Sequence, residues 1–146
     1  MKITDLTLSL FAWDGIPATS YGAHSGKFSG SSVLGLLAIE TDAGITGHAF
    51  LGSAFYPADM DGPSLIRFLK PLLLGQDPLD RERLNQAMWK RGRTTTVRAI
   101  GAVDVALWDI AGKAASQPIH RLLGTFRHKV PVYASSAVLP DAQAYA

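Results

Sequence analysis

AIGAVDVALWDIAGKAASQPIHRLLG, residues 99–124, decides the fold. Within it Ile100, Val103, Leu107, Ile110 and Ala111 recur every three or four residues, which places them on one stripe of an α-helix. The spacing predicts a helix from about residue 96 to residue 115. Ala99, Gly101, Ala102, Ala106, Ala111 and Gly112 are small, so a neighbouring element can approach this helix closely. Asp109 and Lys113 stand four apart with the acid first, the favourable order for a helical ion pair. Asp109, and Asp104 with it, therefore reads as scaffold rather than as a general acid or base. Pro118 cannot continue the helix, and residues 119–123 supply one more turn before Gly124.

Two helical starts precede this stretch. Asp61-Gly62-Pro63-Ser64 has the chemistry of a first turn, and Leu65, Phe68, Leu69 and Leu72 follow at helical spacing. Pro71 is expected to kink or shorten that helix, and Gly75 to stop it. A second helix is expected from Asp77-Pro78, with Asp80 favouring its dipole, Leu84, Ala87 and Met88 as its apolar stripe and Gly92 at its end. The Asp59-Met60-Asp61-Gly62 run lacks the further acids of a calcium loop, so it reads as helix entry.

Toward the amino terminus the period changes to two. Leu6, Leu8 and Leu10 alternate with Thr7 and Ser9 over residues 2–11, as in a strand with one buried face. Residues 32–41 form an apolar run, and Thr41-Asp42-Ala43-Gly44 suits a tight turn into residues 45–50. Residues 14–31 carry Gly15, Gly22, Gly26, Gly30, Pro17 and many hydroxyls with no apolar period, and read as a long loop, a length that compact domains keep for a use. Downstream, residues 129–136 read as a further strand and Pro140-Asp141 as the start of a short helix.

Composition narrows the function classes. The chain has 146 residues, 47% hydrophobic and 18% charged, a globular balance sufficient for one core. Fourteen basic residues face twelve acidic ones, a formal charge of +2. Lys90, Arg91, Arg93 and Arg98 are the nearest approach to a basic patch and read as solvated helix ends, so nucleic acid is not the expected partner. With no cysteine, disulfides, thiolate zinc sites and cysteine nucleophiles are excluded. His24, His48, His120 and His128 show no paired metal spacing. No apolar run approaches the roughly 20 residues of a membrane span, and the opening residues do not read as a signal peptide; a cytoplasmic protein is expected. Gly22-Ala23-His24-Ser25-Gly26-Lys27 has three residues between its glycines where a phosphate loop needs four, and Phe28 stands where Ser or Thr would hold magnesium.

Four stretches resemble the enolase superfamily of the mandelate racemase/muconate lactonizing type: the opening MKITDLTL, the hairpin AIETDAGITGHAF, the long helix AIGAVDVALWDIAGKAASQPIHRLLG and KVPVYASS. The resemblance implies an α+β capping domain over residues 1–125, a three-stranded, mainly antiparallel sheet followed by a helical bundle. It also implies that residues 126–146 begin a truncated (β/α) barrel, with KVPVYASS as its first strand. One departure is Gly47-His48-Ala49-Phe50, where many relatives carry Gly-x-Gly-Glu.

In that superfamily a magnesium ion stabilises the enediolate formed when a base removes the proton next to a carboxylate. The resemblance places the base and the ion's ligands beyond residue 146, so it transfers no catalytic or metal-ligating residue to this chain. It transfers the lid, residues 14–31 and 51–57. Tyr21, His24, Ser25, Lys27 and Phe28 then offer donors, a cation and an apolar wall, Phe55 and Tyr56 a second wall, and Ser135 and Ser136 a strand end facing the site. The implied partners are a small-molecule carboxylate, the remaining barrel domain and further copies of the protein. The hydroxyl-rich, basic lid favours dehydration of a sugar acid, with racemisation or epimerisation next and cycloisomerisation third. The 146 residues alone are expected to be inactive. The alternative of another class is a free-standing binding module without catalysis. A cap would bare apolar faces and an unpaired segment at 130–136; a module would not.

Overall fold

The computed structural model describes residues 1–20, 27–133, 141 and 143, with side chains at 1–15, 30–133, 141 and 143. Strands β1 (Ile3–Ser20), β2 (Lys27–Thr41) and β3 (Thr46–Leu51) form an antiparallel sheet in the order β1-β2-β3. A 3₁₀ turn (Ala58–Met60) leads into α1 (Gly62–Ser64), a π-helical turn (Leu65–Leu69) and α2 (Lys70–Leu73). Then come α3 (Arg81–Trp89), α4 (Val97–Ala114) and α5 (Ile119–Leu122).

The predicted long helix is α4, with Ile100, Val103, Leu107 and Ile110 buried. Thr96 caps it by accepting the Ala99 N–H at 3.1 Å, which satisfies one of the free donors of its first turn. The small residues of the stripe serve the close approach they predicted. β3 lies against α4, and at Gly47 a Cβ would sit 2.1 Å from the Ala106 carbonyl oxygen. Leu6, Leu37, Ile39 and Leu51 of the sheet meet Leu65, Leu69, Leu73, Leu84, Met88 and the α4 stripe in one core on a single face of the sheet. Asp109 and Asp104 act as scaffold. Asp109 Oδ2 accepts Lys113 Nζ at 2.6 Å and the His48 N–H at 2.8 Å, stitching α4 to β3. Asp104 Oδ1 accepts Asn85 Nδ2 at 3.0 Å, joining α3 to α4.

The hairpin turn forms as expected, with Gly44 at φ +73° and its N–H donating to the Thr41 carbonyl. Pro71 does not break its helix. The turn before it widens, and Lys70 N–H bonds to the Leu65 carbonyl, five residues back. A proline removes a donor and crowds the carbonyl four residues earlier, and a π-turn relieves both effects. The next helix begins at Arg81, later than expected, because the Asp77 carboxylate turns back to accept the Leu79 N–H.

Two expectations are corrected. Residues 14–20 and 27–31 are not loop; they continue β1 and β2 as a two-stranded ribbon to the Ser20–Lys27 pair. Ladder bonds join backbones and need no apolar period. Register shifts interrupt the ribbon around the Ile16–Gly30 pair, next to Gly15 at φ +71° and with Gly30 at φ +97°, the bulge-like irregularity that glycine permits. Residues 129–133 do not form a strand. Val130, Val132 and Tyr133 are 68, 89 and 86% exposed, and a strand exists only through a partner's hydrogen bonds. Among the described residues, no helix is long and apolar enough to cross a membrane.

Candidate functional site

The sheet's register decides where the two expected lid segments lie. β3 ends at Leu51, which pairs with Gly35, while β1 and β2 run on together from there. The ribbon thus projects past the end of β3 by on the order of 25 Å, at about 3.3 Å per residue. The 52–57 segment leaves the sheet at that same end. Both segments therefore rise from one end of the sheet.

Residues 52–57 form a tied turn. Gly52 has φ +94°, and a Cβ there would lie 2.8 Å from both the Ala58 nitrogen and the Val33 carbonyl oxygen, so the chain reverses here only with glycine. Ser53 N–H donates to the Tyr56 carbonyl at 2.9 Å, and Tyr56 N–H donates to Ser53 Oγ at 3.1 Å, closing a turn. Ser32 Oγ donates to the Ser53 carbonyl at 2.7 Å and fixes that turn to β2. Phe55 and Tyr56 stand 41 and 54% exposed on its surface.

Beneath them lies an ion pair. Arg98, in the first turn of α4, donates from Nε to Asp61 Oδ2 at 2.8 Å and from Nη2 to Oδ1 at 3.1 Å. The Asp61 side chain is fully buried. The Arg98 guanidinium lies 4.6 Å from the Tyr56 ring centroid, a cation–π contact. Burial works to raise the Asp61 carboxyl pKa, but hydrogen bonds from Arg98 and Thr96, with the Arg98 charge, outweigh it and hold it below the usual carboxylate range. The hydrogen bond to Asp61 raises Arg98 above its own already high value. The arrangement holds shape.

Of the expected contact residues, Phe55 and Tyr56 come together on the 52–57 turn. Lys27 and Phe28 lie on β2, opposite Ser20 and Thr19. Tyr21, His24, Ser25, Ser135 and Ser136 lie outside the described residues, as does most of the phosphate-loop-like run. Among the described residues, no three His, Asp or Glu side chains gather as a metal site.

Sequence reasoning missed the Asp61–Arg98–Tyr56 node. Asp61 reads as helix entry and Arg98 as one of a solvated basic group. Lys90, Arg91 and Arg93 are indeed exposed, but Arg98 is engaged. Its partner lies 37 residues away, and no local spacing links them.

Residues 24–124 match the model of the mandelate racemase / muconate lactonizing enzyme N-terminal domain. The chain is 37% identical over 130 residues to the cis-3-hydroxy-L-proline dehydratase of Roseibium aggregatum, covering 85% of this chain and 34% of that protein. It is 41% identical over 99 residues to the D-mannonate dehydratase of Novosphingobium aromaticivorans, covering 60% of this chain and 23% of the relative. A crystal structure of a racemase from Streptomyces coelicolor A3(2) with bound magnesium superposes with a TM-score of 0.77 at 29% identity, covering 90% of this chain and 38% of that one. The chain thus spans about a third or less of the length of the curated relatives it matches.

Proposed function

Because the chain belongs to the mandelate racemase / muconate lactonizing enzyme family of the enolase superfamily, and matches its N-terminal domain, we propose that it caps the site of a magnesium-dependent enzyme that removes the proton next to a substrate carboxylate. Dehydration of a sugar acid or related hydroxy acid is the favoured outcome, in keeping with the dehydratase names of its relatives. The observation that carries this reading is the pair of segments, the β1–β2 ribbon and the 52–57 turn, rising from one end of the sheet. An enediolate must be kept from water, and walls at the mouth of a site do that.

In this reading Tyr21, His24, Ser25, Lys27 and Phe28 contact the substrate from one lid segment, Phe55 and Tyr56 from the other, and Ser135 and Ser136 are further contacts. In the same reading the base and the ion's ligands belong to a barrel domain that meets this one. Exposed Leu123, Phe126, Val130, Val132 and Tyr133 on one stretch support docking onto such a partner surface. Exposed Phe11, Trp13 and Phe50, which the register places on the sheet face away from the core, support assembly with further copies. A chain without cysteine fits a cytoplasmic setting.

Racemisation is the second reading, favoured by the magnesium-bound racemase that this fold superposes on. The two outcomes share the proton removal and diverge afterwards. The test uses the complete enzyme carrying this domain, magnesium, and a panel of aldonic and other 2-hydroxy acids in deuterated water. Dehydration predicts a 2-keto acid product, and racemisation predicts deuterium at the α-carbon with no loss of water. No proton exchange from any carboxylate in the panel refutes the proposal.

A further inference from the structure

The 53–56 turn is closed on itself and tied to two elements, β2 and α4. Ser32 of β2 holds the Ser53 carbonyl, Tyr56 is bound to Ser53 through both its N–H and its carbonyl, and the Tyr56 ring lies under Arg98 of α4. Arg98 is itself held by the buried carboxylate of Asp61, just ahead of α1. A segment that opens and closes needs few such contacts. We propose that residues 53–56 are a fixed wall rather than a moving lid, and that Arg98 is the positioning residue that sets Tyr56 and, through it, substrate selection on this side.

The geometry needs arginine. Its planar guanidinium gives two parallel hydrogen bonds to one carboxylate along one edge and still presents a flat face to a ring. A lysine ammonium is a point charge and cannot do both. Asp61 Oδ1 and Oδ2 are both used by Arg98, which fixes the guanidinium plane and hence the ring stacked on it. Arg98 acts through Tyr56, by shaping the wall. The selectivity part rests on the proposed function, whereas the fixed wall does not.

Two variants of the 146-residue chain test the wall: Tyr56→Leu, which leaves the buried pair intact, and Arg98→Lys, which keeps the charge. Amide hydrogen exchange is followed residue by residue. The Ser53 and Tyr56 amides are expected to exchange about tenfold or more faster in both variants, while Leu107 and Ile110 stay as slow as in the parent chain. Unchanged exchange at 53 and 56 overturns the clamp. Acceleration spread equally through α4 also overturns it, because Arg98 would then be a residue of general stability. In the complete enzyme, Arg98→Lys is expected to raise KM and shift the preference among acids while kcat holds. Unchanged KM and preference refute the selectivity role. An enzyme inert toward every acid refutes the functional reading and that role with it, while the exchange result still decides the wall.

Discussion

Gly47→Ala isolates the contact on which the two layers depend. A Cβ at this position would lie 2.1 Å from the Ala106 carbonyl oxygen, 2.6 Å from Ile110 Cγ1 and 3.1 Å from the Ala106 carbonyl carbon. Carbon–oxygen contacts settle near 3.3 Å, so α4 must retreat from β3 by about 1 Å. The obstacle is helix backbone, which cannot rotate aside as a side chain would. Overpacking a core by one methyl costs roughly 1–3 kcal/mol where side chains can adjust. A radial gap of about 1 Å along the rest of the interface forfeits up to about half of each contact's dispersion well. The expected loss is therefore at the top of that range, about 3 kcal/mol, or a Tm lower by about 12 °C for a chain of this size. Gly101→Ala in the same helix is the control. A Cβ there meets nothing within 4 Å, and alanine is the better helix former by about 1 kcal/mol, so Tm should rise by a few degrees. Thermal and urea unfolding of the two variants measure both changes. Gly47→Ala within about 1 kcal/mol of the parent chain would refute the close approach of β3 and α4.

Asp61→Asn should lower stability at neutral pH by about 2 kcal/mol, the scale of hydrogen bonds to a charged group. Because the folded carboxyl lies below its ordinary value of 3.8, its stabilisation is complete above that value and is lost as the pH falls through the lower folded one. Tm measured from pH 6 down to acid should therefore fall less steeply below about pH 4 in the variant than in the parent chain. Thr96→Ala removes the α4 cap and should cost about 1 kcal/mol in urea unfolding, with Thr96→Ser restoring most of it. With magnesium present, the 146-residue chain alone should exchange no α-proton of any 2-hydroxy acid with deuterated water, as followed by NMR; measurable exchange would place a base within these residues.

The sequence by itself determined the elements whose physics is local. A stripe at three- and four-residue spacing can bury itself only as one face of a helix, so α4 was legible from Ile100, Val103, Leu107 and Ile110. The turn at Gly44 was legible because only glycine takes its backbone angle without strain. The Asp109–Lys113 pair followed from a spacing of four. The family resemblance likewise lay in contiguous stretches.

What only the tertiary structure decided depends on residues far apart in the chain. The ribbon at residues 14–20 and 27–31 is held by backbone ladder bonds, which leave no mark in side-chain periodicity, so its glycines and hydroxyls read as loop. Residues 129–133 have a strand's composition, yet no described strand lies beside them, and pairing is a property of two segments. Asp61, Arg98 and Tyr56 were each legible alone, as helix entry, basic residue and lid wall, but their association was not, because a buried carboxylate, a guanidinium plane and a ring acquire a shared role only when folding stacks the start of α4 over the turn after β3. Local pattern fixes which element forms; the packing of elements fixes which side chains meet.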